Sequence, residues 1–581
     1  MSQSKFLLPV LGAVVVAAGG AGAYFYFTNP AQQTTTTNGT APTPSISVAS
    51  VIPKEAMILV AIHNDGKALG QLEQFASPEF QKLFKESTAK AQKDLNDQQI
   101  DFAKDIQPWV GNQVVFAVLP PTKPSAQATP RYTPVSLENG NQWRSAQAEV
   151  VPPLTIPNTV PNFVIVAEVK DKAGATKFIE TARTKAGGAV KKSDYKGVEI
   201  TIPEAGGDKA PITAFVKDYL VLSNKEAPIQ KVIDTANGSP AIADSLMTAG
   251  LDVENTLISF YTPNVADNAE ALAELIAQSS GATTAANFVP QLKTIQNAGV
   301  VLGVDKQGIR LKGSAKYNLE LVSADPKPSA NKLLSLLPAQ TMGAITGMDI
   351  RDEWARVVKQ SEQVPELKSA IEQMRAAAKG APLNADLDKD IFGWMDGEYA
   401  FAAIPSAEGF LAQVGVGPVL MIQTSDRPAA EALLKKLDGI AEQSIAKVST
   451  RDVGGVQVTE WADPAGQAVF LAHGWVQPDT LFVTAAPLVG QILPKPSSAL
   501  DGDAGFKALI EPLIPSGRGY FYLDMTKLWA LVQKQVPASA IEPGAATFFN
   551  AVKGMSATFV LPDKNTARLD VLLALKPKGG S

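Results

Sequence analysis

Asp101-Phe102-Ala103-Lys104-Asp105-Ile106-Gln107-Pro108-Trp109 and Asp386-Leu387-Asp388-Lys389-Asp390-Ile391-Phe392-Gly393-Trp394 are two versions of one nonapeptide, 285 positions apart. Each is followed by a strand-like apolar run, over 114–120 and again over 399–405. Upstream, Ile52-Pro53 before Met57 matches Leu337-Pro338 before Met342 at the same spacing. Downstream, Gly197-Val198-Glu199-Ile200-Thr201 matches Gly455-Val456-Gln457-Val458-Thr459, and Asp305-Lys306 matches Asp563-Lys564, now at a spacing of 258. Self-similarity of this kind is the signature of a duplicated structural unit. The fall in spacing puts an insertion of about that difference in the first copy, where the Pro-rich, sparsely charged stretch 121–161 provides it.

Within each copy the apolar periodicity predicts the same order. A strand (57–63; 342–348) leads into an amphipathic helical region (68–94; 351–379), the Trp motif and a second strand. A third strand (163–169; 419–424), a helix (173–185; 428–440) and a set of short strands (198–222; 456–483) follow. Further helices and a closing strand pair, 300–304 with 309–314, end the first unit. Strands outnumber crossover helices, so the expected fold is α+β: two tandem homologous units, each a mostly antiparallel sheet with helices on one face. The units span 51–325 and 332–576, with Pro326 and Pro328 in the joint and a tail over 577–581.

Residues 6–27 form an apolar run of 22 residues without a charge. As a helix it reaches about 33 Å, enough for a hydrocarbon core of roughly 30 Å. Lys5 precedes it and the next charge is Lys54. Charge bias therefore predicts a single-pass anchor over 1–27, with a cytoplasmic N-terminus and the body in the periplasm or a thylakoid lumen. A cleaved signal peptide ending at Ala21-Gly22-Ala23 is the rival reading, and both export the body. Ala13, Ala17 and Ala21 have the spacing of a helix-pairing face, a route to homo-oligomers. Residues 28–50, rich in Thr, Asn and Pro, read as a disordered stalk.

Composition excludes several chemistries. The chain has 581 residues, no cysteine, two histidines and a formal net charge of -5. Disulfides, thiolate nucleophiles and Cys-ligated metals are absent. No Lys/Arg patch with interleaved aromatics points to nucleic acid. There is no Gly-x-Ser-x-Gly elbow or phosphate-cradling Gly-rich loop. Ser87-Thr88-Ala89-Lys90 matches a Ser-x-x-Lys tetrapeptide without its companion motifs. Asp386, Asp388 and Asp390 alternate like the start of a calcium loop, but Ile391 and Gly397 stand where Gly and Glu are needed. No cofactor or metal is expected.

The anchor, the Thr-rich stalk, the Ile52-Pro53 opening and Asp105-Ile106-x-x-Trp109-x-Gly111 together resemble the DUF3352 family of cyanobacterial membrane-anchored proteins. Asp390-Ile391 and Trp394 repeat the motif, with the glycine displaced to Gly397. The resemblance implies an envelope or thylakoid setting and supplies no catalytic residues.

Repetition of Asp105, Ile106 and Trp109 as Asp390, Ile391 and Trp394 favours a structural role over a recognition surface. In the insertion, Arg131-Tyr132 and Trp143-Arg144 are candidate partner-binding residues, since such pairs are enriched at interfaces. The expected function is a membrane-tethered, non-enzymatic binding or scaffold protein with an envelope or thylakoid protein partner. One alternative is a carrier of lipid or pigment in a cavity lined by Phe75, Phe80, Leu83 and Phe84. The other is a carboxylate-dependent hydrolase with clustered acids and a raised carboxyl pKa.

Overall fold

The computed structural model describes residues 47–75 except 65, then 78, 81, 101–120, 162–185, 188–204, 211–245, 251–280, 289–318, 329–362, 365–444, 446–515 and 517–578. The first copy contributes strands β1 (Ile58–His63), β2 (Val110–Val118), β3 (Phe163–Val169), β4 (Val190–Tyr195), β5 (Val198–Pro203), β6 (Ile212–Val216), β7 (Tyr219–Ser223), β8 (Asn255–Thr262), β9 (Ile295–Val304) and β10 (Gly308–Tyr317). The second contributes β11 (Gly343–Met348), β12 (Glu398–Pro405), β13 (Val416–Gln423), β14 (Lys447–Val453), β15 (Val456–Ala462), β16 (Val469–Gln477), β17 (Thr480–Ala485), β18 (Tyr520–Asp524), β19 (Val552–Val560) and β20 (Thr566–Leu575).

In the first copy the strands pair in the order β4-β5-β6-β7-β3-β2-β1-β8-β9-β10, every pair antiparallel. The second copy repeats it as β14-β15-β16-β17-β13-β12-β11-β18-β19-β20. The two runs join where β10 pairs antiparallel with β20, making one sheet of 20 strands. Local chemistry is duplicated too. The β4–β5 turn places Lys196 and Gly197 at positive φ, and the β14–β15 turn does the same with Gly454 and Gly455, as tight hairpin turns require. The free edges, β4 and β14, carry Lys191, Lys192, Lys447 and Arg451, charges that discourage strand addition.

Three expectations are corrected. The two units do not keep separate sheets, because the closing strand of each finds its last hydrogen-bonding partner in the other. Helices lie on both faces. Val164 and Val166 of β3 pack with Ile229, Val232 and Ile233 of the helix Glu226–Ala236, while Ala167 packs with Ala175 of the helix Lys172–Lys185 on the opposite face. Alternate residues of one strand thus meet helices on opposite sides.

The third correction concerns the membrane. Among the described residues no helix is long and apolar enough to cross one. The helix Arg427–Ser444, at 18 residues, carries Arg427, Glu431, Lys435, Lys436, Asp438 and Glu442. The expected span, 6–27, and the helix-pairing alanines lie outside the described residues, so the structure does not support a single-pass placement.

The second copy's main core joins β11–β13 and β15–β18 to the segments 333–337 and 488–513. A smaller core bridges the seam: Ala68, Leu72 and Phe75 pack with Met525, Ala551, Val552 and Leu575. The tail closes on the same place, where Lys578 N donates to Gln74 O at 2.6 Å.

Candidate functional site

The Trp motif is a single wide helical turn in both copies, Phe102–Ile106 and Leu387–Ile391. Its acids are spent on the backbone. Asp105 Oδ2 accepts from Asp101 N at 2.8 Å, and Asp390 Oδ2 accepts from Asp386 N at the same distance. Trp109 and Trp394 are buried, each against the helix that follows the third strand of its copy. Trp109 meets Phe178 with the rings tilted and their centroids 5.5 Å apart, and its indole N–H donates to Asp105 O. Trp394 makes no such bond; its indole nitrogen is buried without a partner. Asp388 faces away from Asp386 and Asp390, accepting from Arg375 at 2.8 and 3.0 Å and from Trp354 Nε1 at 2.7 Å. The three acids therefore do not converge, and among the described residues no cluster could hold a metal.

Other titratable clusters are brackets between elements. His63 Nε2 lies 3.1 Å from Ser259 Oγ, the spacing of a nucleophile and its base. However, the Gln113 amide oxygen accepts from Ser47 Oγ and Val48 N, which turns its NH2 toward His63 Nδ1. Nδ1 then accepts, Nε2 carries the proton, and the ring cannot take one from Ser259. In the second copy Glu398 replaces Gln113 and accepts from Leu333 N, the counterpart of Val48 N. Both copies thus fasten the turn before their opening strand in the same way. His473 and Trp461 each donate to Asp438 Oδ1, tying the helix Arg427–Ser444 to β15 and β16. Tyr522 sits beside Lys527, but Asp503 and Asp524 next to them cap two helices, and burial first, then those acids, raise the phenol pKa.

The sheet carries one feature that local structure does not use. Residues directly opposite on antiparallel strands share a face. Phe401 lies opposite Ile345, Ile345 opposite Phe521, and Phe521 opposite Ala557. Two residues beyond Ala557, on the same face, Phe559 lies opposite Leu569, which leads through Gly313 and Val300 to Phe260. This row crosses eight neighbouring strands, roughly 34 Å at ~4.8 Å per strand. Ile345, Phe401, Phe559, Leu569 and Phe260 along it are 39–49% exposed. The first copy's equivalent of Phe401, Phe116, instead packs on Phe163 and beneath the helices Ala269–Ser280 and Val289–Lys293. A second surface feature, an open depression of about 600 Å³ lined by Lys54, Glu55, Lys231 and Asp234, is crossed by the Lys231–Glu55 ion pair.

A family model described as protein of unknown function (DUF3352) matches residues 10–575. The chain belongs to the DUF3352 family. For this DUF3352 protein no curated protein matches. Among solved structures, crystal form III of TP0453 is similar at 9% identity over 48% of this chain and 82% of that one, with a TM-score of 0.22. Crystal form IV of TP0453 gives 10% identity, 46% and 79% coverage, and the same TM-score. Likeness at that level carries no argument about this DUF3352 chain.

Of the residues singled out from sequence, Asp105, Ile106, Trp109, Asp390, Ile391 and Trp394 are gathered as two equivalent local sites. Arg131, Tyr132, Trp143, Arg144, Ser87 and Lys90 lie outside the described residues. The apolar row escaped sequence reading, because an alternating strand looks the same whether both its faces are covered or one.

Proposed function

We propose that this chain is a non-catalytic binding or scaffold protein whose contact surface is the apolar row centred on Ile345 and Phe401. The observation that carries this reading is the exposure of five large apolar side chains, Ile345, Phe401, Phe559, Leu569 and Phe260, along one cross-strand row; exposed apolar surface gathered in this way marks an interaction site. Two further observations support it. Among the described residues, the carboxyl groups whose surroundings move their pKa, Glu55, Glu270, Asp388, Asp396, Asp479 and Asp563, are all held below the ordinary carboxylate value. A general acid needs the opposite shift. Of the residues expected to line a carrier's cavity, Phe75 is packed in the core that bridges the seam, and Phe80, Leu83 and Phe84 lie outside the described residues.

The test is a photo-crosslinking residue placed in vivo at Ile345 or Phe401, with Lys231 in the polar depression as the reference. The reading expects discrete high-mass adducts from the first two positions and none from the third. Equal adduct patterns at all three positions would remove it.

A further inference from the structure

Strands β10 and β20 are the same segment of the two copies, 258 positions apart, and they pair about a local two-fold axis. Lys312 lies opposite Asp570, its own counterpart; Arg310 lies opposite Leu572, and Ser314 opposite Arg568. Arg310 and Arg568 are counterparts, and each lies diagonally across from the residue on the axis, but their surroundings differ. On one side Arg310 Nε and Nη2 grip the Asp570 carboxylate at 2.5 and 2.6 Å, Nη1 reaches Asp305 at 3.3 Å, and Nη2 also donates to Pro512 O. Ile514 N adds a third donor to Asp570. On the other side Lys312 stands where the reciprocal aspartate would be, and its Nζ turns away to Asp252 O.

Arg568 and Lys312 form no ion pair among the described residues. Arg568 Nε is buried without a partner, and so is the hydroxyl of Ser314, a residue only 4% exposed. Two cations and two orphaned polar atoms therefore share one half of the axis, while the equivalent half is fully satisfied by a carboxylate.

From this asymmetry we infer that the seam holds an anion site formed by Arg568, Ser314 and Lys312, taking the carboxylate of a small ligand in the role Asp570 plays for Arg310. A carboxylate fits for two reasons. It accepts from the guanidinium fork and the hydroxyl together. It is also the group this interface already binds at the symmetric position. Arg568 and Lys312 are only half-buried, so the outer parts of both side chains reach solvent beside the buried Arg568 Nε and Ser314 hydroxyl. The inference is independent of the apolar row, which concerns another set of side chains.

The experiment uses the full chain and acetate as the probe, with chloride at equal ionic strength as the reference. A saturable rise in melting temperature in acetate is expected for the wild type and is absent from Arg568→Met. Lys312→Asp, which brings its own carboxylate, melts higher than the wild type in chloride and no longer responds to acetate. Should Arg568→Met not fold, the Arg568 Nε–H resonance of the wild type is followed instead, and acetate is expected to shift it. An unmoved resonance, equal wild-type melting in the two salts, or an acetate effect that survives in Arg568→Met overturns the site.

Discussion

Lys312 lies directly opposite Asp570, the residue that occupies its own position in the second copy, so the two copies meet through the same strand turned about on itself. The pairing is that of a two-fold dimer interface enclosed within one chain. Only one of its two reciprocal ion pairs is present, and Arg310 and Asp570, at 4% and 0% exposure, carry it.

Replacing Arg310 with Met leaves Asp570 buried with a single backbone donor, Ile514 N. Breaking a buried pair on one side costs about 3–5 kcal/mol. Urea unfolding should show a loss of that order, and a loss below about 1 kcal/mol would mean that the seam does not depend on this pair.

The two motif tryptophans should respond differently to the same change. Trp109 donates its indole N–H to Asp105 O, whereas the Trp394 nitrogen has no partner. Trp109→Phe should therefore destabilise by about 1 kcal/mol more than Trp394→Phe, the net worth of one hydrogen bond. Either residue changed to Ala should cost about 3–5 kcal/mol through the cavity left behind. Thermal melts of the four variants decide the order.

Acid sensitivity should have an identifiable contributor in Asp388. The hydrogen bond from Arg375, helped by the Trp354 bond, outweighs burial, which pushes the other way, and holds its carboxyl below the ordinary value of 3.8. A folded-state pKa below the unfolded one means the contribution is complete above 3.8 and is lost as pH falls through the lower folded value. Asp388→Asn should thus lower stability at neutral pH, converge on the wild type in acid, and flatten the wild type's decline below about pH 4. The side chain is 38% exposed, so salt should weaken the effect. Parallel pH profiles of the two proteins would refute this assignment.

His63 should carry its proton on Nε2, because Gln113 presents an amide N–H to Nδ1. Imidazole nitrogen shifts measured near pH 8 report the tautomer. A proton on Nδ1 instead would restore His63 as a possible base for Ser259.

Much of the architecture was legible in the sequence because duplication repeats it. The Asp-Ile-x-x-Trp turn, the β2/β12 strands and the Asp305/Asp563 turns align by residue number alone. Extending the match from Asp305-Lys306 onward sets Arg310 against Arg568 and Lys312 against Asp570. That alignment does not reveal that these residues meet, because a strand's sequence names its own two faces but not the neighbour that completes its hydrogen bonds.

The sequence by itself determined that there are two copies of one unit, the places of several strands in each, the absence of thiol chemistry, and the equivalence of Trp109 and Trp394; it did not show β4, β8, β14 or β18. Composition, self-comparison at a spacing of 285 and apolar periodicity within each copy give these without any long-range contact. Only the tertiary structure decided that the copies share one sheet, that helices cover both its faces, that Ile345 and Phe401 stay exposed while Phe116 is covered, and that Arg310 has a carboxylate where Arg568 has none. Each of these is a contact between residues tens to hundreds of positions apart. Side-chain burial and ion pairing depend on what packs opposite, which no window along the chain contains.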